Sequence, residues 1–204
     1  GWMISEEKFM KGLKFLDMLK LRGSWGRIGD DNVGGRWLYQ DSWGYQNSNT
    51  YLGLIPTATP YSYYRITSLG NENISWETVE KRNVGIDYSF FKGLIAGSVD
   101  IFSDKRKDIL VSGGSRSIPS FFGATAPTAN LGSTKSHGYE LELRLNYMFA
   151  NKMRLWANTN YTHAVNEVIF RDDPVLRDAH RKAAGHAIGQ TNSYINNGIY
   201  TTWD

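Results

Sequence analysis

Residues 76–110 alternate between apolar and polar side chains in two stretches that a very short turn joins. The apolar positions are Val84, Ile86, Tyr88, Phe90, Ile95, Val99 and Ile101. The positions between them are small or polar and include Asp87 and Asp100. Successive side chains of a β-strand point to opposite faces, so this pattern predicts a hairpin with one apolar and one polar face and a turn at residues 91–93.

The same period of two recurs elsewhere and predicts further strands. These are a strand beginning at Leu19, strands over 137–149 and 154–165 that a tight turn at 150–152 joins, and a short strand near 63–66. The polar parity of the later strands contains Glu140, Glu142 and Arg144. An all-β fold of antiparallel strands is therefore expected.

One segment near the N-terminus has a different period. Phe9, Leu13 and Leu16 recur at helical spacing after Ser5 and two acidic residues, which suit the first turn of a helix. The spacing predicts one short helix over about residues 6–16.

Connection lengths favour one class of all-β protein. The tight turns at 91–93 and 150–152 alternate along the chain with long polar connections at 27–75, 112–135 and 169–192. Transmembrane barrels have short periplasmic turns on one rim and long extracellular loops on the other. The strands also exceed the ~9–11 residues that a tilted strand needs to cross a bilayer. We therefore expect an antiparallel transmembrane β-barrel segment with its apolar face toward lipid and its polar face toward a lumen.

Composition adds to this interpretation. Aromatic residues make up 14% of the 204 residues, and Tyr88, Phe90 and Tyr147 lie beside the tight turns, where an interfacial aromatic girdle is expected. The net charge of +3 is spread among mixed acids and bases, which does not favour nucleic-acid binding. There is no cysteine, so neither a disulfide nor a thiolate metal site is expected. No apolar run approaches the ~20 residues of a membrane helix.

Several segments resemble one family when they are taken in order. They are WMISEEKF, FLDMLKLRGSWG, NENISWETVEKRNVGIDYSFFKG, GSVDIFSDKRKDIL, NLGSTKSHGYELEL, and GHAIG followed by NNGIY. These segments resemble the C-terminal half of SusC/RagA-type TonB-dependent outer-membrane transporters. The resemblance extends from Trp2 to Tyr200.

The resemblance implies part of a plugged barrel of the 22-strand class in the outer membrane of a Gram-negative bacterium. Such a protein imports glycans or peptides, is energised by TonB through an N-terminal part, and carries a SusD-type surface lipoprotein over its mouth. Neither that N-terminal part nor the plug is recognisable here. Both ends of the sequence also look like cuts in a longer chain, so residues 1–204 are expected to form one partial barrel domain.

Two sets of residues are candidate sites. The first set consists of aromatic residues in a loop. They would stack on a glycan, contact the lipoprotein, or form a small core of the loop itself. These residues are Trp37, Tyr39, Trp43, Tyr45 and Tyr51. The second set consists of residues at the polar alternate positions of the strands, which would line the lumen. They would guide a ligand, contact the plug or form ordinary cross-strand ion pairs. These residues are Lys20, Arg22, Asp87, Asp100, Glu140, Glu142 and Arg144.

Other candidate chemistry is weak. Glu140 and Glu142 are adjacent on one parity by alternation alone, and no Walker loop, dinucleotide fingerprint or nucleophile elbow is present, so neither an enzyme nor a cofactor is predicted. The acidic loop segments at 30–32 and 172–173 lack calcium-loop spacing, and the histidines lack zinc spacing, so no metal is predicted. The basic run at 105–107 would form a solvated rim or contact lipopolysaccharide or a partner.

Two alternatives remain open from the sequence. One is a small stand-alone outer-membrane barrel, which needs about eight strands. The other is a soluble β-sandwich that binds carbohydrate through its loop aromatics.

Overall fold

The fold, described by a computed structural model, is a single antiparallel sheet with a smaller hairpin beside it. The structure describes residues 1–31, 34–50, 61–175, 177–196 and 198, without the side chains of 48–50 and 120. The strands are β1 (Trp2–Met3), β2 (Leu16–Asp30), β3 (Ser42–Thr50), β4 (Tyr61–Ser68), β5 (Glu77–Phe90), β6 (Ile95–Val111), β7 (Ala129–Met148) and β8 (Arg154–Phe170). The main sheet has the order β1-β2-β5-β6-β7-β8, and β3 pairs with β4. The predicted all-β antiparallel fold is confirmed.

Short 3-10 helices are the helical elements of the described residues, at Ile4–Glu6, Gly113–Ser115, Ser120–Phe122 and Ala179–Arg181. Across the described ranges, no helix has both the length and the apolar character needed to cross a membrane.

The helix predicted near the N-terminus is present only as the 3-10 turn at Ile4–Glu6, and the predicted range of 6–16 is wrong. The backbone N–H groups of Glu7, Met10, Leu13 and Leu16 each donate to the carbonyl three residues earlier, so the segment is a series of separate turns. Phe9 is 68% exposed and Leu13 is 40% exposed. A short helix depends on the packing of an apolar face, which this segment lacks.

The strands are longer than the sequence pattern predicts. β2 begins at Leu16, β7 begins at Ala129 and β8 continues to Phe170. The start of β7 is rich in small and polar residues, which have low strand propensity, but it pairs with the end of β6 through irregular register near Ile109. The connection predicted over 27–75 contains β3 and β4, and β4 confirms the strand expected near 63–66.

Both tight turns lie at one end of the sheet, which we call the short-turn end. The turn after β5 places Phe91, Lys92 and Gly93 at positive φ, and its Gly93 N–H donates to the Asp17 carboxylate at 2.9 Å. Aromatic rings gather at this end: Phe90 lies 5.7 Å from Tyr88 and 6.3 Å from Phe15 between ring centroids, and Tyr147 lies 4.7 Å from Phe149. Aromatic rings thus cluster next to the tight turns, and that they form an interfacial girdle stays a prediction.

Cross-strand register sorts side chains into two faces, because facing residues of antiparallel strands project to the same side. One row of the apolar face is Leu21, Ile86, Val99, Leu141 and Tyr161. The next row, on the opposite face, is Arg22, Gly85, Asp100, Glu140 and Thr162. On all five long strands, the residues predicted to share a face do lie on the same face.

The sheet is a single layer with almost no core. Among the described residues the buried apolar side chains are Val79, Val111 and Ala126. On the apolar face Val84 is 57% exposed and Ile101 is 63% exposed. A soluble sandwich buries such a face against a second sheet, and no second layer covers it in the described part of the chain. The sandwich hypothesis is therefore not supported.

Candidate functional site

The long connections leave from the end of the sheet opposite the short-turn end, which we call the loop end. Here the β3–β4 hairpin is fastened at its base: the Asn71 N–H donates to the Leu38 carbonyl at 2.8 Å, and the Gly70 N–H donates to the Asp41 carboxylate at 2.7 Å. The Asn71 side chain donates to the Thr128 carbonyl at 3.0 Å. These bonds hold the hairpin against the connection between β6 and β7.

Two of the predicted aromatics lie together on one face of this hairpin. Trp43 pairs with Ile66, and Tyr45 pairs with Tyr64, whose ring centroid lies 5.3 Å away. We call Trp43, Tyr45, Tyr64 and Ile66 the aromatic face. Trp43 is 65% exposed and Tyr64 is 70% exposed, so the rings are available for contact and do not form a buried loop core. Tyr64 was not among the predicted site residues, although its own alternating strand is the signal for it.

The other predicted aromatics form a separate pair. Trp37 and Tyr39 are 6.0 Å apart between ring centroids in an edge-to-face arrangement, in the turn that precedes β3. Trp37 has a φ of 60° and is 66% exposed. Tyr51 lies outside the described residues. The structure thus gathers four of the five predicted aromatics into two exposed groups.

A polar cavity that the sequence did not reveal opens between two connections at the loop end. It has a volume of about 570 Å³ and is lined by parts of 114–119 and 171–183. Arg116 joins the two walls: its guanidinium lies 3.6 Å from the Asp172 carboxylate and donates to the Pro127 carbonyl at 3.0 Å. The Ser117 N–H also donates to Asp172, at 3.2 Å. These contacts connect distant segments, so no local pattern predicts them.

Asp173 lines the same cavity and stabilises one of its walls. Its carboxylate accepts the backbone N–H groups of Ala183 and Ala184 at 2.9 and 3.0 Å and lies 3.7 Å from Arg177. Arg171 lines the cavity as well, and it makes no ion pair with a described carboxylate within 4.0 Å. An adjoining cavity of about 650 Å³ is more apolar and includes Val111 and Phe170 in its lining.

The polar face of the sheet carries all seven residues predicted from its parity, namely Lys20, Arg22, Asp87, Asp100, Glu140, Glu142 and Arg144. That this face lines a lumen stays a prediction. Ion pairs connect several of the seven. The Arg144 and Glu142 side chains approach to 3.1 Å along β7.

Arg22 is the centre of the polar face. Its Nε donates to the Asp87 carboxylate at 3.0 Å, and its Nη2 donates to Asp100 Oδ2. Asp100 is the one charged residue buried among the described residues, and its side chain is 8% exposed. Its Oδ1 atom has no hydrogen-bond partner among the described residues.

The polar face offers little catalytic or metal chemistry. Glu140 and Glu142 line a small cavity of about 300 Å³ together with Ser98, Asn160 and Thr162. Within the described ranges, no group of three or more His, Asp or Glu side chains is arranged to hold a metal ion. Asp172 and Asp173, considered above as calcium ligands, are occupied by the loop contacts.

Comparison with known proteins agrees with this geometry. The family model described as "TonB dependent receptor-like, beta-barrel" matches residues 12–203. The TonB-dependent receptor P39 of Formosa agariphila is 29% identical over 98% of this chain and 18% of its own length. The TonB-dependent receptor SusC of Bacteroides thetaiotaomicron is 30% identical over 98% of this chain and 20% of its own length.

Solved structures show the same fold. The RagAB peptide importer in its "open-open" state aligns with a TM-score of 0.67 at 23% identity, covering 82% of this chain and 17% of the solved chain. The chain thus spans about a fifth of the length of the relatives it matches. These relatives are receptors and transporters. The chain belongs to the TonB dependent receptor-like β-barrel family and is a barrel portion of the SusC/RagA type.

Proposed function

We propose that this chain forms barrel wall and extracellular loops of a TonB-dependent nutrient importer in the outer membrane of a Gram-negative bacterium. The observation that carries the proposal is the main sheet: its apolar residues share one face, its charged residues share the other, and its long connections leave from one end. The inner strands β5, β6 and β7 have their backbone groups paired by neighbours on both sides, and the further strands of a closed barrel would pair the two edges, as lipid requires.

The two faces then have different environments. The exposed apolar face contacts outer-membrane lipid, which removes its side chains from water. The face with Arg22 and Asp100 turns toward the lumen, where the charged side chains remain solvated or contact the plug. TonB acts on a part of the protein other than residues 1–204.

The imported ligand is a glycan or a peptide. Two features of the loop end support ligand contact: the exposed aromatic face and the polar cavity near Arg116. Rings such as Trp43 and Tyr45 present large rigid surfaces that suit the faces of sugars or peptide side chains. The RagAB peptide importer, whose fold this chain shares, supports the peptide class.

A SusD-type surface lipoprotein covers the loop end in this proposal. The aromatic face belongs to a hairpin that stands beside the main sheet, and the described residues of this hairpin make no ladder with that sheet. An exposed cluster of Trp and Tyr is typical of the centres of protein interfaces. The aromatic face would therefore contact the lipoprotein, the ligand, or both.

Orientation in the membrane gives the direct test. Single cysteines replace Asn73 at the loop end and Lys92 at the short-turn end of the full natural polypeptide, in a background without other cysteines. A membrane-impermeant maleimide is expected to label Asn73→Cys on intact cells and Lys92→Cys only after the outer membrane is permeabilised. Equal labelling of both on intact cells would contradict the proposal, as would recovery of the protein in a soluble fraction.

Transport is tested with a deletion strain. Loss of the gene that encodes the full polypeptide is expected to abolish uptake of particular oligosaccharides or peptides, and a TonB deletion is expected to have the same effect. Unchanged uptake across panels of both ligand classes would count against an importer while leaving the barrel assignment intact.

A further inference from the structure

The apolar face ends along a straight row of register partners. Its last apolar row is Gly23, Val84, Ile101, Tyr139 and His163. The next two rows toward the loop end are Trp25, Arg82, Ser103, His137 and Val165, and then Arg27, Glu80, Lys105, Lys135 and Glu167. The row with Arg27 and Glu167 carries a charged side chain on all five strands, and the row before it is mixed and contains Trp25 and Val165.

Lysines dominate the middle of the charged rows. Lys105 of β6 faces Lys135 of β7 directly, and Lys107 lies one step further along the same side of β6. All three side chains are exposed. No described carboxylate lies within 4.0 Å of any of their ammonium groups. Like charges directly opposite on a sheet are unfavourable, so the arrangement is suited to an anion that joins them. We call Lys105, Lys107 and Lys135 the lysine trio.

The nearest acids form no close ion pair with the trio. Glu80 faces Lys105 in register, but its Oε1 accepts hydrogen bonds from Arg82 Nε at 2.8 Å and from Trp25 Nε1 at 3.2 Å. Glu80 is therefore bound to Arg82 and Trp25, and Lys107 attracts it only over a longer distance. Glu167 faces Lys135 on β8 and forms no ion pair with it within 4.0 Å.

Arg106 separates from its two neighbours in the basic run. It lies on the polar face, where its guanidinium is 3.3 Å from the Glu77 carboxylate. The run at 105–107 is therefore two unpaired lysines on the apolar side and one paired arginine on the other. Lys135 completes the apolar-side cluster from a strand that is distant in sequence.

We propose that the lysine trio binds the phosphorylated headgroup of an outer-leaflet lipid whose acyl chains lie along the apolar face below it. This proposal rests on the proposed function, because it takes the apolar face to be the lipid-facing one. Charge complementarity identifies the occupant: three unpaired ammonium groups lie at the edge of an apolar surface, and a phosphorylated lipid is anionic at the edge of its apolar part. A free phosphate has no apolar part that would contact the apolar face.

The residues around the trio suit the same occupant. Trp25 is 71% exposed in the row between the apolar face and the lysines. Tryptophan prefers the level of lipid headgroups, because its ring is apolar and its N–H needs a polar partner. Along these rows the cations are Arg27, Arg82, Lys105, Lys107 and Lys135, and the carboxylates are Glu80 and Glu167. The excess of cations favours an anionic lipid over a neutral one.

The test uses the full natural polypeptide extracted from outer membranes and native mass spectrometry of bound lipid. Wild type is compared with the triple variant Lys105→Gln, Lys107→Gln, Lys135→Gln. The matched control, Lys11→Gln, Lys152→Gln, Lys182→Gln, removes the same charge from lysines that likewise form no ion pair with a described carboxylate within 4.0 Å. The probes added back are diphosphoryl lipid A, dephosphorylated lipid A and inorganic phosphate.

Wild type and control are expected to retain lipid A alike, and the triple variant is expected to lose about fivefold in affinity per lysine, as for basic residues at an anionic bilayer surface. Dephosphorylated lipid A is expected to bind wild type no better than the triple variant, and inorganic phosphate is expected not to displace lipid A.

Equal retention by the triple variant and wild type would overturn the lipid site while the membrane assignment stands. Displacement by inorganic phosphate would overturn the lipid as occupant, as would cross-linking of these lysines to a protein. Absence of the protein from the outer membrane would overturn both the site and the proposed function.

Discussion

Arg22 of β2 reaches across β5 to Asp100 of β6 over Gly85, the residue that lies between them in the register. A Cβ atom at Gly85 would lie 2.4 Å from Asp100 Oδ1 and 3.0 Å from Arg22 Cζ. The glycine thus makes room for an ion pair between strands that are not neighbours. The ion pair thereby connects β2 to β6 across β5, at one row of the sheet.

Replacement of Gly85 by Val is expected to destabilise the barrel by about 1–3 kcal/mol, because the new side chain occupies the space of the ion pair. The measurement is the temperature at which the folded band of the detergent-solubilised full polypeptide disappears from a gel. Gly26→Val is the matched control, because a Cβ at Gly26 meets nothing within 4 Å. An equal fall in both variants would mean that strand propensity, and not the ion pair, is responsible.

The Arg22–Asp100 pair is expected to be energetically coupled. Arg22→Met should cost about 1–3 kcal/mol, because it leaves the buried Asp100 carboxylate without its charged donor. The double variant with Asp100→Asn should recover part of that loss. A double-mutant cycle measures the coupling, and Asp87→Asn serves as the comparison because Asp87 is more exposed, at 23%. Additivity within about 0.5 kcal/mol would contradict the expected coupling.

The sequence predicted the faces of the sheet well, because a period of two is a local property of each strand. It placed Arg22, Asp87 and Asp100 on one face correctly. It did not show that Arg22 spans Gly85 to reach Asp100, because that relation depends on the register of three strands. The same holds for the lysine trio, which joins residues from β6 and β7.

Strand ends and loop contacts were harder to predict for a physical reason. The start of β7 near Ala129 forms a strand because β6 supplies a partner, although its composition resembles a loop. The opposite error occurred at 6–16, where apolar spacing suggested a helix that has nothing to pack against. Arg116 and Asp172 meet between two connections, and neither segment has a pattern that points to the other.

The aromatic face is expected to matter for binding and little for stability. Trp43→Ala should leave the gel melting temperature of the barrel within about 2 °C of wild type, because surface changes cost little. It should weaken co-purification of the proposed surface lipoprotein or of the proposed ligand. Trp156→Ala is the control: Trp156 is 69% exposed, against 65% for Trp43, and lies on β8 near the short-turn end. Loss of binding in both variants would show that the position of the ring is irrelevant.

Arg116 is expected to hold the two connections that enclose the polar cavity. Arg116→Met removes the bond to the Pro127 carbonyl and the ion pair with Asp172, so segments 112–128 and 171–183 should become more accessible. Limited proteolysis on intact cells measures this as faster cleavage within these segments. Arg171→Gln is the control, since Arg171 lines the same cavity and makes no ion pair with a described carboxylate. Faster cleavage should be confined to Arg116→Met. If Arg171→Gln is cleaved equally fast, total positive charge at the cavity, and not the bridge between the loops, controls their order.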